Sequence, residues 1–225
     1  MFQGIRAFIF DFDGTLARAN IDFGLMRRRL DGLVERYGLD PHQLGHLYIL
    51  EMIDAAAAQL GQAADGRGGR FYQEAHDSIL ALESEYARTS GMLPGAVEAL
   101  QTLQQQGFKV GVVTRNSASA VRTICPRVDA LCDVFLPREA VRFVKPHPEH
   151  LDRALQCLRI AAHQAMMVGD GPIDITAGKA LGLKTVAVLT GGHGREALRA
   201  SQPDLILDSV ADLIPRLGTY QAPLS

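Results

Sequence analysis

Cysteine is scarce in this chain: Cys125, Cys132 and Cys157 are the three in 225 residues. An odd count with no zinc-type spacing argues against a disulfide framework and suits a reducing compartment. An excess of one charge is also missing. The 23 Lys and Arg residues against 25 Asp and Glu leave a formal net charge of -2, so no basic field invites nucleic acid. The one tight basic run, Arg27-Arg28-Arg29, reads as a solvated helix face. Long apolar runs are lacking too. The run Ala7 to Phe10 is far shorter than the roughly 20 residues needed to cross a bilayer. These absences lead to the expectation of a cytoplasmic protein, a monomer or homodimer, with no nucleic-acid or membrane partner. What is present is a hydrophobic fraction of 47%, which fits a soluble globular protein. The length allows one large domain or a core plus a smaller one.

The chain divides by texture. Residues 5–10 (IRAFIF) form a short apolar run bounded by Asp and Gly, which predicts a buried strand. From about Asn20 to Ser90 no strand pattern appears, and helix-like patterns cover 22–37, 41–60 and 70–89. After Gly91 strands and helices alternate. Helix 95–106 precedes strand 108–113, helix 117–124 precedes strand 133–136, and helix 147–159 precedes strand 165–168. Helix 173–181 precedes strand 184–189, a short helix near 195–200 precedes strand 204–207, and helix 209–217 follows. Such alternation predicts an α/β fold, a doubly wound parallel sheet with right-handed crossovers. The block 22–89 then reads as an all-α insertion after the first strand. The expected domains are an α/β core of 1–16 with 92–225 and a helical domain of 17–91.

Open parallel sheets bind ligands outside the carboxyl ends of their strands. Polar groups recur there: Asp11-Phe12-Asp13-Gly14-Thr15 after the first strand, Thr114-Arg115-Asn116-Ser117 after FKVGVV, and Gly169-Asp170-Gly171-Pro172-Ile173-Asp174 after AMMV. Lys145-Pro146 comes before helix 147–159. Asp11 and Asp13, two apart in extended chain, point the same way, and Phe12 points into packing. Beside Asp170 and Asp174 they repel, each like pair costing about 4 kcal/mol at about 4 Å and an effective dielectric near 20. A cation must therefore sit among them, and hard oxygen ligands around a small open site suit magnesium. Lys145 supplies a second positive charge. A carboxylate so placed can accept a phosphoryl group, and a second one two residues on can protonate the leaving alkoxide and then deprotonate water. Thr114 and backbone N–H groups at the start of helix 117–124 can hold phosphate oxygens. Gly14 lets the chain turn so that amides face the phosphate.

These motifs resemble those of the haloacid dehalogenase superfamily of phosphohydrolases. DFDGTL at 11–16, VVTRNS at 112–117, VKPHPE at 144–149 and VGDGPIDI at 168–175 are similar to its four motifs in order and spacing. The resemblance implies that Asp11 is the nucleophile and a magnesium ligand. Asp13 would be the general acid/base, its backbone carbonyl also binding magnesium. Thr114 and Lys145 would bind the transferring phosphoryl group, with the amides of Arg115 and Asn116 completing the cradle. Asp170 would bind magnesium directly, and Asp174 would hold the ion through water or position Lys145. Asp13 favours phosphate chemistry, because dehalogenases of this superfamily lack that second carboxylate. The insertion resembles the helical cap of the phosphoglycolate phosphatase-like group.

The implied function is a magnesium-dependent phosphatase acting on a small-molecule phosphate ester, phosphoglycolate being one candidate. The alternatives are a phosphomutase of the beta-phosphoglucomutase kind, where Val is usual at the place of Thr15, and a non-catalytic regulatory or binding module. The chain departs from the family pattern at Arg115, where Asn or Ser is commoner, and at Ala17-Arg18-Ala19-Asn20. Both departures are expected near the substrate's leaving group. Arg18, Asn20, Arg27 and Arg28 are candidates for substrate contact from the cap. His147 is expected to order its turn, and His193 to be a solvent-exposed loop residue.

Overall fold

The computed structural model describes residues 2–62 and 65–218. Residues 219–225 of the expected core thus lie outside the described residues. The chain forms two compact units, Met1–Ala19 with Ala87–Ser225 and, inserted between them, Asn20–Tyr86.

The larger unit is built on six parallel strands: β1 (Ala7–Phe10), β2 (Lys109–Val113), β3 (Val134–Leu136), β4 (Ala165–Gly169), β5 (Lys184–Val188) and β6 (Leu205–Leu207). Their order across the sheet is β3-β2-β1-β4-β5-β6. The direction of winding reverses between β1 and β4, which opens a crevice at their carboxyl ends. β1 is short and wholly apolar because both of its faces are covered. Phe8 and Phe10 enter one cluster with Val110, Val112, Met166 and Val168. Ala7 and Ile9 join Leu151, Leu155, Met167 and Ala177 in the other. This period-two division follows from the pleat.

The helices, in chain order, are α1 (Phe23–Arg36), α2 (Ile49–Leu60), α3 (Arg67–Ala87), α4 (Ala96–Gln105), α5 (Ala118–Ile124) and α6 (Val128–Leu131). They continue with α7 (Glu149–Leu158), α8 (Pro172–Ala180), α9 (Arg195–Ala200) and α10 (Leu213–Leu217). The α/β, doubly wound parallel sheet expected from the alternation is therefore present, with the expected strands in place. The single turn of α6 was not foreseen. No helix among the described residues is long and apolar enough to cross a membrane.

The inserted unit contains α1, α2 and most of α3 around its own core of Met26, Leu30, Leu33, Met52, Ile53, Phe71 and Ile79. Residues 17–19 and 87–91, expected in the insertion, group with the larger unit. Backbone pairing accounts for this: the Arg18 N–H donates to the Gly91 carbonyl at 3.0 Å, and Ala17 bridges Met92. The helix expected over 41–60 is broken. A 3-10 turn at Pro41–Leu44 is separated from α2 by residues 45–48. The Arg27 guanidinium donates to the carbonyls of Leu44 (3.0 Å) and Leu47 (2.7 Å), taking acceptors that a continuous helix would have used.

Candidate active site

The site forms where β1 and β4 end side by side. Phe10 pairs with Val168, and the Asp11 N–H continues the ladder to the Val168 carbonyl at 2.9 Å. Asp11 and Asp170, far apart in sequence, are therefore brought together by register alone. Asp174 comes from the first turn of α8, where its Oδ2 accepts from the Gly171 N–H at 3.1 Å. That is the reach-back bond of an acidic residue near a helix start. Carboxylate oxygens of Asp11, Asp170 and Asp174 all lie within 4.8 Å of one another, in the one such cluster among the described residues.

Lys145 enters from the loop before α7. Its Nζ stands 2.8 Å from Asp11 Oδ1 and 2.7 Å from Asp174 Oδ1, with the side chain 1% exposed. Burial alone would push this ammonium towards its neutral form. The charges of Asp11 and Asp174 outweigh it and hold the Lys145 pKa above the usual lysine value. One lysine does not balance the cluster. Burial first, then the charges of Asp174, Asp170 and Asp13, drive the Asp11 carboxyl well above its ordinary range despite Lys145. Burial and Asp174 push Asp170 up to about 7. Carboxylates crowded in this way could hold a hard divalent cation.

Asp13 is held apart from that cluster. Asn116 Nδ2 donates to both of its carboxylate oxygens at 3.1 Å, and the Thr114 hydroxyl donates to Oδ2 at 3.3 Å. Thr114 Oγ1 also accepts from the Asn116 N–H at 3.0 Å. The amide expected in a phosphate cradle is thus engaged by Thr114, and Asn116 meets the site through its side chain. Phe12 is buried in the core, as its alternation required. The Arg115 guanidinium binds the Lys145 carbonyl oxygen. Its side chain thus reaches the backbone of the lysine loop.

Glycine makes room for the carboxylates. Gly14 adopts a φ of +79°, and a Cβ there would lie 2.5 Å from Asp170 Oδ2. A Cβ on Gly191 would lie 1.7 Å from the same oxygen. The Thr190 hydroxyl donates to the Gly14 carbonyl at 2.6 Å, tying the loop after β5 to the loop after β1. Thr15 Oγ1 lies 3.5 Å from Asp170 Oδ1. His193 is exposed, and its ring flanks Gly171, where a Cβ would meet Cε1 at 3.5 Å. His147 Nδ1 accepts from the Glu149 N–H at 3.2 Å in its turn.

Sequence reasoning gave no site role to Gly191, Thr190 or, above all, His150, and weighed Thr15 only between phosphatase and mutase. His150 is fully buried, and its Nδ1 accepts from the Lys145 N–H at 3.3 Å. The available signal was its place on the apolar stripe of α7, with Leu151, Ala154, Leu155 and Leu158. Of the candidates away from the sheet, Arg27 is occupied with its own unit's carbonyls and with Asp31 at 3.3 Å. Arg28 is exposed, 4.0 Å from Asp22, and Arg18 and Asn20 are exposed.

A model of the haloacid dehalogenase-like hydrolases matches residues 5–182. A pyrophosphatase PpaX from Anoxybacillus flavithermus is 30% identical over 96% of this chain and 98% of its own length. Among solved structures, a predicted phosphoglycolate phosphatase from Haemophilus somnus superposes with a TM-score of 0.66 at 22% identity, covering 95% of this chain and 98% of that one. A beta-phosphoglucomutase from Clostridium difficile gives 0.66 at 20% identity, covering 93% of each chain. At those identities the two structures speak for the fold, and the same fold carries both names. The family match spans the strand-end motifs around Asp11, Thr114, Lys145 and Asp170, and the chain belongs to the haloacid dehalogenase-like hydrolases.

Proposed function

We propose that this chain is a magnesium-dependent phosphatase that transfers a phosphoryl group from a small phosphate ester to Asp11 and then to water. The observation that carries the reading is the division of labour between two neighbouring carboxylates. Asp11 faces Lys145 and the acidic cluster, while Asp13, two residues on, is fixed separately by Asn116 and Thr114. A nucleophile and a proton carrier need that difference in surroundings.

In the first step an Asp11 oxygen attacks phosphorus, the ester P–O bond breaks, and the departing alkoxide takes a proton from Asp13. In the second, Asp13 takes a proton from water, the resulting hydroxide attacks phosphorus, and the P–O bond to Asp11 breaks to regenerate the carboxylate. Lys145 balances negative charge on Asp11 and on the transferring group. Asp11, Asp170 and Asp174 would hold magnesium, with the Asp13 backbone carbonyl as a further ligand. Bound there, the ion supplies neutralisation of the charge gathered around phosphorus. Gly14, Thr114 and the amides after β2 would contact phosphate oxygens once substrate displaces the present hydrogen bonds. The inserted helical unit would act as the cap.

The pyrophosphatase relative, similar along nearly the whole chain, favours pyrophosphate as a second substrate class beside phosphoglycolate and other monoesters. Release of inorganic phosphate from a panel containing pyrophosphate, phosphoglycolate, sugar phosphates and nucleotides, with magnesium or with a chelator, tests the reading. Turnover should require the metal and be lost in Asp11→Asn. Turnover that survives this substitution, or no turnover of any panel member, refutes it.

A further inference from the structure

Lysine is a long, flexible cation, so its ammonium is only as well placed as the backbone beneath it. Lys145 lies in a loop between β3 and α7, where no sheet ladder fixes the main chain. Both of its peptide groups are instead held by side chains. Its N–H donates to His150 Nδ1 at 3.3 Å, and its carbonyl accepts from the Arg115 guanidinium. The other ring nitrogen of His150, Nε2, lies 3.1 Å from the Leu136 carbonyl. Because Nδ1 accepts, the ring proton sits on Nε2 and is donated to Leu136. That same carbonyl receives the Thr114 N–H at 3.1 Å. One buried imidazole thus joins the end of β3, the start of the Thr114 loop and the backbone of the lysine that touches Asp11.

We infer that His150 and Arg115 clamp the Lys145 backbone from its two sides and so set where the ammonium meets Asp11, making His150 a positioning residue for the reaction. The inference rests on the phosphatase reading for its catalytic consequence, though the clamp itself does not. Two polar jobs are combined in one ring, an acceptor at the δ position and a donor at the ε position, and substitutions can separate them. In Asn, Oδ1 occupies the place of Nδ1 and keeps the bond from Lys145. In Gln, the amide reaches the place of Nε2 and keeps the bond to Leu136 but offers nothing to Lys145.

The test compares His150→Ala, His150→Asn and His150→Gln with the wild type, at a temperature where circular dichroism shows all four folded. Backbone amide exchange of Lys145 should stay slow in Asn and rise by about tenfold or more in Ala and Gln, since an unpaired amide opens to water. With magnesium and the best panel substrate, kcat should fall about 10–100-fold in Ala and Gln with KM little changed, and Asn should restore most of it. Combining His150→Ala with Arg115→Ala should cost less than the product of the two single losses, because both act on one residue. A general loss of packing would affect Asn and Gln alike and would leave the double variant multiplicative. Equal exchange, or equal kcat, in the Asn and Gln variants overturns the inference. If the wild type releases no phosphate from any substrate, the phosphatase reading falls, and the exchange measurement still decides whether the clamp exists.

Discussion

His150 should make the larger unit acid-labile in a way one substitution removes. Burial, reinforced by the Lys145 charge, pulls its pKa from the ordinary 6.5 down to about 3. The folded value lies below the unfolded one, so stability is whole above about pH 6.5 and drains as pH falls towards about 3. Each pH unit in that window transfers about 1.4 kcal/mol of advantage to the unfolded chain, which accepts the proton the folded ring refuses. At about pH 5 the loss is about 2 kcal/mol relative to about pH 7.5. Asp170 acts with the opposite sign. Its folded value of about 7 lies above the ordinary 3.8, so the folded protein takes up that proton first and gains stability as pH falls through 7. The two effects offset one another in the wild type, and a single pH curve would hide both. The assay is therefore a difference: urea unfolding of wild type and His150→Asn, without metal, at about pH 7.5 and about pH 5. Circular dichroism is the suitable probe, since the chain has no tryptophan. The stability gap between the two proteins should shift by about 2 kcal/mol in favour of the variant at the lower pH. A gap that moves by less than about 0.5 kcal/mol refutes the reasoning.

Gly191→Ala drives a methyl group into the Asp170 carboxylate, so magnesium affinity should fall by about 10–100-fold and stability by about 1–3 kcal/mol, as titration calorimetry and urea unfolding would show. Asp13→Ala removes both proton transfers, but a good leaving group such as phosphate needs less protonation than an alkoxide. Intact-mass spectrometry should then trap phosphoryl-Asp11 with pyrophosphate and not with phosphoglycolate. Magnesium binding at about pH 6 should release protons, because Asp170, with a value of about 7, is largely protonated without metal. Calorimetry in buffers of differing ionisation enthalpy measures that release, and the share due to Asp170 should fall away as pH rises past about 7.

The sheet was legible because both of its faces are covered, so runs such as AFIF and AMMV are wholly apolar and end abruptly in carboxylates. The helical breaks were less so. Nothing local in 41–60 shows that Arg27 captures the Leu44 and Leu47 carbonyls, since that bond joins residues 17 and 20 positions apart. The site divides in the same way. Asp11, Asp13, Thr114, Asp170 and Asp174 announce themselves in the polar stretches that follow apolar runs, and Lys145 ahead of a helix. His150 does not, because it looks like one more member of a helix stripe, and only the loop folded over it reveals the bond it accepts. Gly191 was visible as part of a glycine-rich loop, but its reason, the absence of room beside Asp170, exists only in three dimensions.

Electrostatic economy links the cluster to the fold. Three carboxylates, at positions 11, 170 and 174, crowd together beside one buried lysine, which touches two of them. Without metal the excess is relieved by protons, which is why Asp11 and Asp170 both hold them more tightly than an ordinary carboxyl. A divalent cation held by this cluster would compete with protons for the same oxygens. Lys145 stays charged throughout, because Asp11 and Asp174 hold it so. The fixed element of the site is thus the lysine and its backbone ties, while the charge around Asp11 is exchangeable. A reaction that loads Asp11 with a phosphoryl group and then clears it needs that combination of one constant partner and one variable field.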